Sequence, residues 1–147
     1  SIIRMRSADA IEKISARRPE YLLPYKTLLV EHIARSDQSE VRWHVAQMLP
    51  RIGWNQDERQ QVQGVLLDYL NDRSSIVKTF AMQALADLAR QAPEMRPAAL
   101  LHLRELTVSG TPAMKSRGRK LLAEMKSRGE VPEDHPNLSQ RKPRAAL

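Results

Sequence analysis

The stretch VRWHVAQMLPRI, Val41 to Ile52, is written four times in this chain, and its reading decides the fold. With Val41 as offset zero, the pattern returns at Val77 after 36 residues and at Met114 after 37 more. It also stands 38 residues earlier, at Ile3. Offset four is Ser7, Val45, Ala81 and Gly118; offset eight is Ile11, Leu49, Leu85 and Leu122; offset eleven is Ile14, Ile52, Leu88 and Met125. Steps of zero, four, eight and eleven fall in one narrow sector of a helix with 3.6 residues per turn. Small or β-branched residues at offset four let a neighbouring helix come close. Self-similarity at this period predicts stacked helical units, each burying its apolar face against the next.

Between the copies the chain supplies breaks. Arg17-Arg18-Pro19 ends a first helix over 3–16, because the residue before proline is pushed out of the α region. Pro19 and Glu20 open the next, and Pro24 either bends it or marks its true start. Leu28, Leu29 and Ile33 are its expected packing face. Pro50 is expected to loosen the last turn of the helix begun at Val41. Gly53 ends that helix, and Asn55 caps the next, whose apolar face is Val62, Leu66, Leu67 and Leu70. Residues 75–90 form the third copy. Pro93-Glu94, with Pro97 inside, repeats the earlier opening, and Leu100, Leu101, Leu103 and Leu106 carry the packing. Gly110-Thr111-Pro112 precedes a last helix over about 113–126.

The cation after an apolar residue (Val41-Arg42, Val77-Lys78), followed by a small residue and then Leu and Ile, resembles the second helix of a HEAT repeat. Asp37 and Asp72 in the preceding turns match that family's acidic position. The resemblance covers about residues 1–126, with departures in the last copy, where Ser109 replaces the Asp and Arg117, Gly118 and Arg119 replace apolar or small residues. It implies an all-α, right-handed α–α solenoid of about seven helices, one lone helix followed by three hairpins. Residues 1–128 form the expected repeat domain. Residues 129–147, where Pro132, Pro136 and Pro143 interrupt and apolar periodicity disappears, read as a disordered basic tail.

Composition narrows the function classes. The chain has 147 residues and no Cys, which excludes disulfides, thiolate metal sites and cysteine nucleophiles. No apolar run is long enough to span a bilayer, and the first residues lack a signal-peptide core, so the expectation is a cytoplasmic protein. The net charge is +7. Residues 1–110 hold 15 Lys and Arg against 13 Asp and Glu, whereas residues 111–147 hold 9 against 4. Most of the excess is therefore at the C-terminal end, where it could meet nucleic acid or an acidic protein surface.

Arg4, Arg42, Lys78 and Lys115 occupy offset one. This cation ladder reads as structural, each member bonding to a turn Asp or a carbonyl of its own or the next repeat; the rival reading is a row of phosphate contacts. Opposite the packing sector, offsets two, six and ten present Trp43, Gln47 and Arg51, then Thr79, Gln83 and Asp87, then Ser116, Lys120 and Glu124. In HEAT repeats the second helices line the concave face, so Trp43, Gln47, Arg51, Gln83, Asp87 and Lys120 are the candidate partner-binding residues. Trp beside Arg is a frequent hot-spot pairing, although Trp43 could instead pack on the neighbouring repeat. Lys115, Arg117, Arg119, Lys120, Lys126 and Arg128 make the last helix basic, without interleaved aromatics for base stacking.

No catalytic constellation is visible. His32, His44, His102 and His135 lack metal-ligand spacing, and neither a phosphate loop nor a nucleophile elbow occurs. The expectation is a non-enzymatic scaffold without cofactor or metal that binds a protein. Nucleic-acid binding through the basic last repeat and tail is the alternative; a resemblance at fold level to helical-repeat DNA glycosylases makes an enzyme a remoter one. Self-association is a further possibility, because Ile2, Ile3, Ile11 and Ile14 on the lone first helix could expose an apolar edge.

Overall fold

The computed structural model describes residues 1–132, all of whose regular structure is helical. Seven α-helices occur among the described residues: α1 (Ile2–Arg17), α2 (Lys26–Glu31), α3 (Ser39–Met48), α4 (Gln56–Leu70), α5 (Ser75–Gln91), α6 (Arg96–Ser109) and α7 (Pro112–Ser127). The expected tail falls outside the described residues from 133 onward.

The repeat copies lie on the odd-numbered helices. α1 packs against α3, α3 against α5, and α5 against α7, while α5 also touches α4 and α6 on either side in sequence. In copies two and three every residue of the repeating sector is buried, including Val45, Leu49, Val77, Ala81 and Leu85. Copy four buries Met114, Gly118 and Met125. Gly118 is demanded by space: an added Cβ would run into Thr107 Oγ1 on α6, with Thr107 Cβ at 3.1 Å and Met82 Cε at 3.2 Å.

Copy one departs from the shared register. Ile3, Ile11 and Ile14 are 73, 45 and 53 % exposed, and α1 buries Ala8 and Ser15 instead. The physical reason is that α1 meets α3 through an adjacent stripe, leaving its isoleucines along an open groove whose far wall is the Pro19–Tyr25 segment and α2.

Proline chemistry divides the chain as the sequence suggests, with one element shorter than expected. Pro19 opens a 3-10 segment running to Tyr25, and α2 proper begins only at Lys26 and lasts six residues. Pro24 cannot donate to the ladder, so the tighter turn persists through it. At Pro50 the α geometry of α3 gives way to a 3-10 turn over Leu49–Arg51. Buried Trp54 fixes that turn, its indole Nε1 donating to the Leu49 carbonyl at 2.8 Å. Gln91 Nε2 donates to the Pro50 carbonyl at 2.8 Å, tying the turn to the end of α5.

The caps follow side-chain chemistry. Asn55 and Glu58 form a reciprocal capping box on α4, and Ser74 and Thr111 each accept an amide of the first turn of α5 and α7. α7 ends in a Schellman motif. Gly129 has φ 70°, Glu130 N donates to Met125 O at 2.9 Å, and Gly129 N donates to Lys126 O at 3.0 Å. The irregular tail expected from 129 therefore has its first residues ordered as a helix cap, with Glu130 buried and Val131 packed on the core.

Candidate functional site: the ridge of α3, α5 and α7

Arg4 and Arg42, the first two members of the cation ladder in the chain, are internal fastenings. Arg42 Nε and Nη2 donate to Asp72 at 2.6 and 3.1 Å, and Arg42 Nη1 donates to the Ser36 carbonyl at 2.7 Å. Asp72 also accepts from Ser74 N at 2.8 Å. Arg4 repeats the pattern one copy earlier, with Asp37 at 3.2 Å. Arg4 and Arg42, two of the four ladder cations, thus reach forward to the acid of the next copy. Lys78 would need one in the turn before α7, where Ser109 stands. The two rungs differ in surroundings: Arg42 and Asp72 side chains are 18 and 8 % exposed, against 58 and 80 % for Arg4 and Asp37. Burial works against ionising Asp72, but the Arg42 guanidinium and the Ser74 amide outweigh it and hold the carboxyl below its ordinary range.

On the ridge itself, the structure brings part of the candidate set together. A cleft of about 320 Å³ opens between α3 and α5, with Gln47, Arg51, Gln83, Asp87 and Arg90 among its walls. Gln83 Nε2 donates to Asp87 Oδ1 at 3.2 Å, and its Oε1 accepts from Arg117 Nη1 at 2.7 Å. Arg117, expected in the basic patch, therefore links α7 to α5. Burial raises the Asp87 carboxyl above its ordinary value, partly offset by the Gln83 hydrogen bond and the nearby guanidinium of Arg90. Gln47 Oε1 is buried and has no hydrogen-bond donor among the described residues.

Two expected anchors are committed elsewhere. Arg51 is held by α1, donating to the Glu12 carbonyl at 2.7 Å and Ser15 Oγ at 2.9 Å and pairing with the Glu12 carboxylate. Trp43 is half-buried, with its ring 5.2 Å from Phe80 on α5 and 4.3 Å from His44. It packs on the neighbouring repeat, so exposed Trp-Arg pairing does not describe this pair. Phe80 was not among the candidate residues, since it lies one position outside the sectors that the offsets select.

The last helix presents Arg119, Lys120 and Lys126 to solvent, while Lys115 is half-buried and Arg128 bonds to buried Glu130 at 3.1 Å. Lys120 lies on this basic surface and does not line the cleft between α3 and α5. Among the described residues no group of three His, Asp or Glu stands where it could hold a metal ion. No helix among them is long and apolar enough to cross a membrane. Comparison of the chain with protein-family models, curated proteins and solved structures gives no match in any of the three.

Proposed function

We propose that the chain is a HEAT-like helical-repeat scaffold, an α-solenoid without catalytic function, that binds another protein along the ridge of α3, α5 and α7. The observation that carries this reading is the cleft between α3 and α5, where the Gln47 carbonyl oxygen lacks a donor and the Asp87 carboxyl is held partly out of water. An unmet acceptor beside a partly desolvated carboxylate costs folding stability, and a partner's donor would recover that cost on binding. The complementary partner group is a Lys or Arg side chain entering between Gln47 and Asp87. Arg51 and Trp43 serve this site by holding α3 against α1 and α5. Resemblance to HEAT repeats supports the solenoid arrangement, as does the forward reach of Arg4 and Arg42 to the acid of the following copy.

The test is comparative capture from source lysate. Wild-type chain is expected to retain a discrete polypeptide, and retention should fall about tenfold with Asp87→Asn combined with Gln47→Ala. Equal retention by wild type and variant would remove the ridge from consideration.

A second reading rests on the exposure of Arg119, Lys120 and Lys126. Three phosphate contacts give a slope of about −2.7 for log K against log salt on duplex DNA. Capture that is nuclease-sensitive, with such a slope lost in Arg119→Ala/Lys120→Ala/Lys126→Ala, would favour nucleic acid over protein.

A further inference from the structure

We infer a second interaction surface, separate from the ridge: the apolar groove between α1 and the segment from Pro19 to the end of α2 seats a partner helix that is amphipathic with acidic flanks. The groove has a volume of about 720 Å³. Ile3, Ile11 and Ile14 form one wall, and Tyr21, Tyr25 and Leu28 the other. All six are exposed, a concentration of bare apolar surface found nowhere else among the described residues.

The chain itself indicates what shape belongs there. α5 lies between two neighbours, α4 on one side and α6 on the other, and its repeat positions Val77, Leu85 and Leu88 are buried. α1 carries the corresponding positions Ile3, Ile11 and Ile14 but, among the described residues, has only the Pro19–Glu31 segment where α5 has both α4 and α6. The groove is therefore the counterpart of the place that α4 takes beside α5. α4 fills it with Val62, Leu66, Tyr69 and Leu70, at the i, i+4, i+7, i+8 spacing of one helical face.

Charge selects the kind of helix. Arg4 and His32 are the titratable groups in the groove wall apart from the two tyrosines, and no carboxylate lines it. On α1 the exposed Arg6 and Arg17 have no ion-pair partner among the described residues. Both acids of that helix are engaged, Asp9 with Lys13 and Glu12 with Arg51. A second copy of this chain would bring an equally cationic edge, from a molecule of net charge +7, against the first. An acidic helix gains from the same field.

The probe is a synthetic, fluorescently labelled peptide of 15 residues, the length of α4, with Leu at the spacing of Val62, Leu66, Tyr69 and Leu70 and mostly Glu elsewhere. Its control replaces Glu by Lys. Fluorescence anisotropy should show saturable one-to-one binding of the Glu peptide, weakened about tenfold both for the Lys peptide and in Ile11→Gln/Ile14→Gln. Leu28→Gln on the opposite wall should give the same loss. All three side chains are about half exposed, so circular dichroism and thermal midpoint should stay near wild type. Asp87→Asn/Gln47→Ala should leave peptide binding unchanged, which separates this surface from the ridge. The inference is overturned by absence of saturation, by equal binding to the groove variants, or by preference for the Lys peptide. It is also overturned if sedimentation velocity shows a wild-type dimer that Ile11→Gln/Ile14→Gln dissolves, since a second copy would then be the occupant.

Discussion

Asp87 and Gly118 are governed by different physics, the one by the burial of a charge and the other by space. The folded state raises the Asp87 carboxyl, chiefly by burial, so its ionised form is less comfortable folded than unfolded. Above its folded pKa the charge therefore subtracts from stability, and that penalty disappears as pH falls and the group is protonated in both states. Asp87→Asn keeps the oxygen that accepts from Gln83 and should raise the denaturation midpoint at pH 7. The gain should vanish below about pH 4, near the ordinary Asp range, when urea titrations are compared at the two pH values. A stabilising substitution that weakens partner binding is the pattern expected of a functional carboxylate. Gly118 is a matter of space. Gly118→Ala should cost about 1–3 kcal/mol in chemical denaturation, because Thr107 and Met82 must give way. If that contact is the cause, Thr107→Ala, which removes the Oγ1 that the new methyl would strike, should recover part of the loss in the Gly118→Ala background.

Elements were legible wherever one helix's own residues determine it. Pro50, Asn55 with Glu58, and Gly110-Thr111-Pro112 each act within a few positions of the backbone groups they alter, so their breaks and caps appear in sequence. What escaped was set by a neighbour. The isoleucine register of α1 reads like the other copies, yet which stripe of α1 is buried depends on helices beside it. Arg51 looks like a ridge anchor until the position of Glu12, thirty-nine residues away in sequence, is known. Trp43 likewise needed Phe80. The C-terminal boundary was lost for another reason: apolar periodicity ends at α7, but the Schellman turn after it is maintained by backbone hydrogen bonds and one left-handed residue. Gly129→Ala forces a Cβ into that left-handed conformation and should cost about 1 kcal/mol, measurable as a lowered thermal midpoint. Gly53→Ala, at a glycine with negative φ and open space around it, provides the control and should be nearly neutral.

Across the whole molecule, the link from one copy to the next is polar as well as apolar, and its acid limit can be calculated in sign. The Arg42–Asp72 rung joins the start of α3 to the turn before α5 and is largely withdrawn from solvent. Its folded-state carboxyl is depressed relative to the unfolded chain, so the stability it contributes is complete above the unfolded Asp pKa of about 4. That contribution is lost as pH falls through the lower folded value. Asp72→Asn leaves the Arg42 guanidinium with the Ser36 carbonyl but without its carboxylate, and should cost about 2–3 kcal/mol at pH 7. The difference from wild type should shrink between pH 4 and pH 2, because acid removes from wild type what the substitution has already removed. Asp37→Asn is the matched comparison on an exposed rung, where solvent screens the pair, and should leave the midpoint unmoved across the same range. Equal losses at Asp37 and Asp72 would mean that the turn residues act through their backbone geometry, and the ladder would then not be what joins the copies.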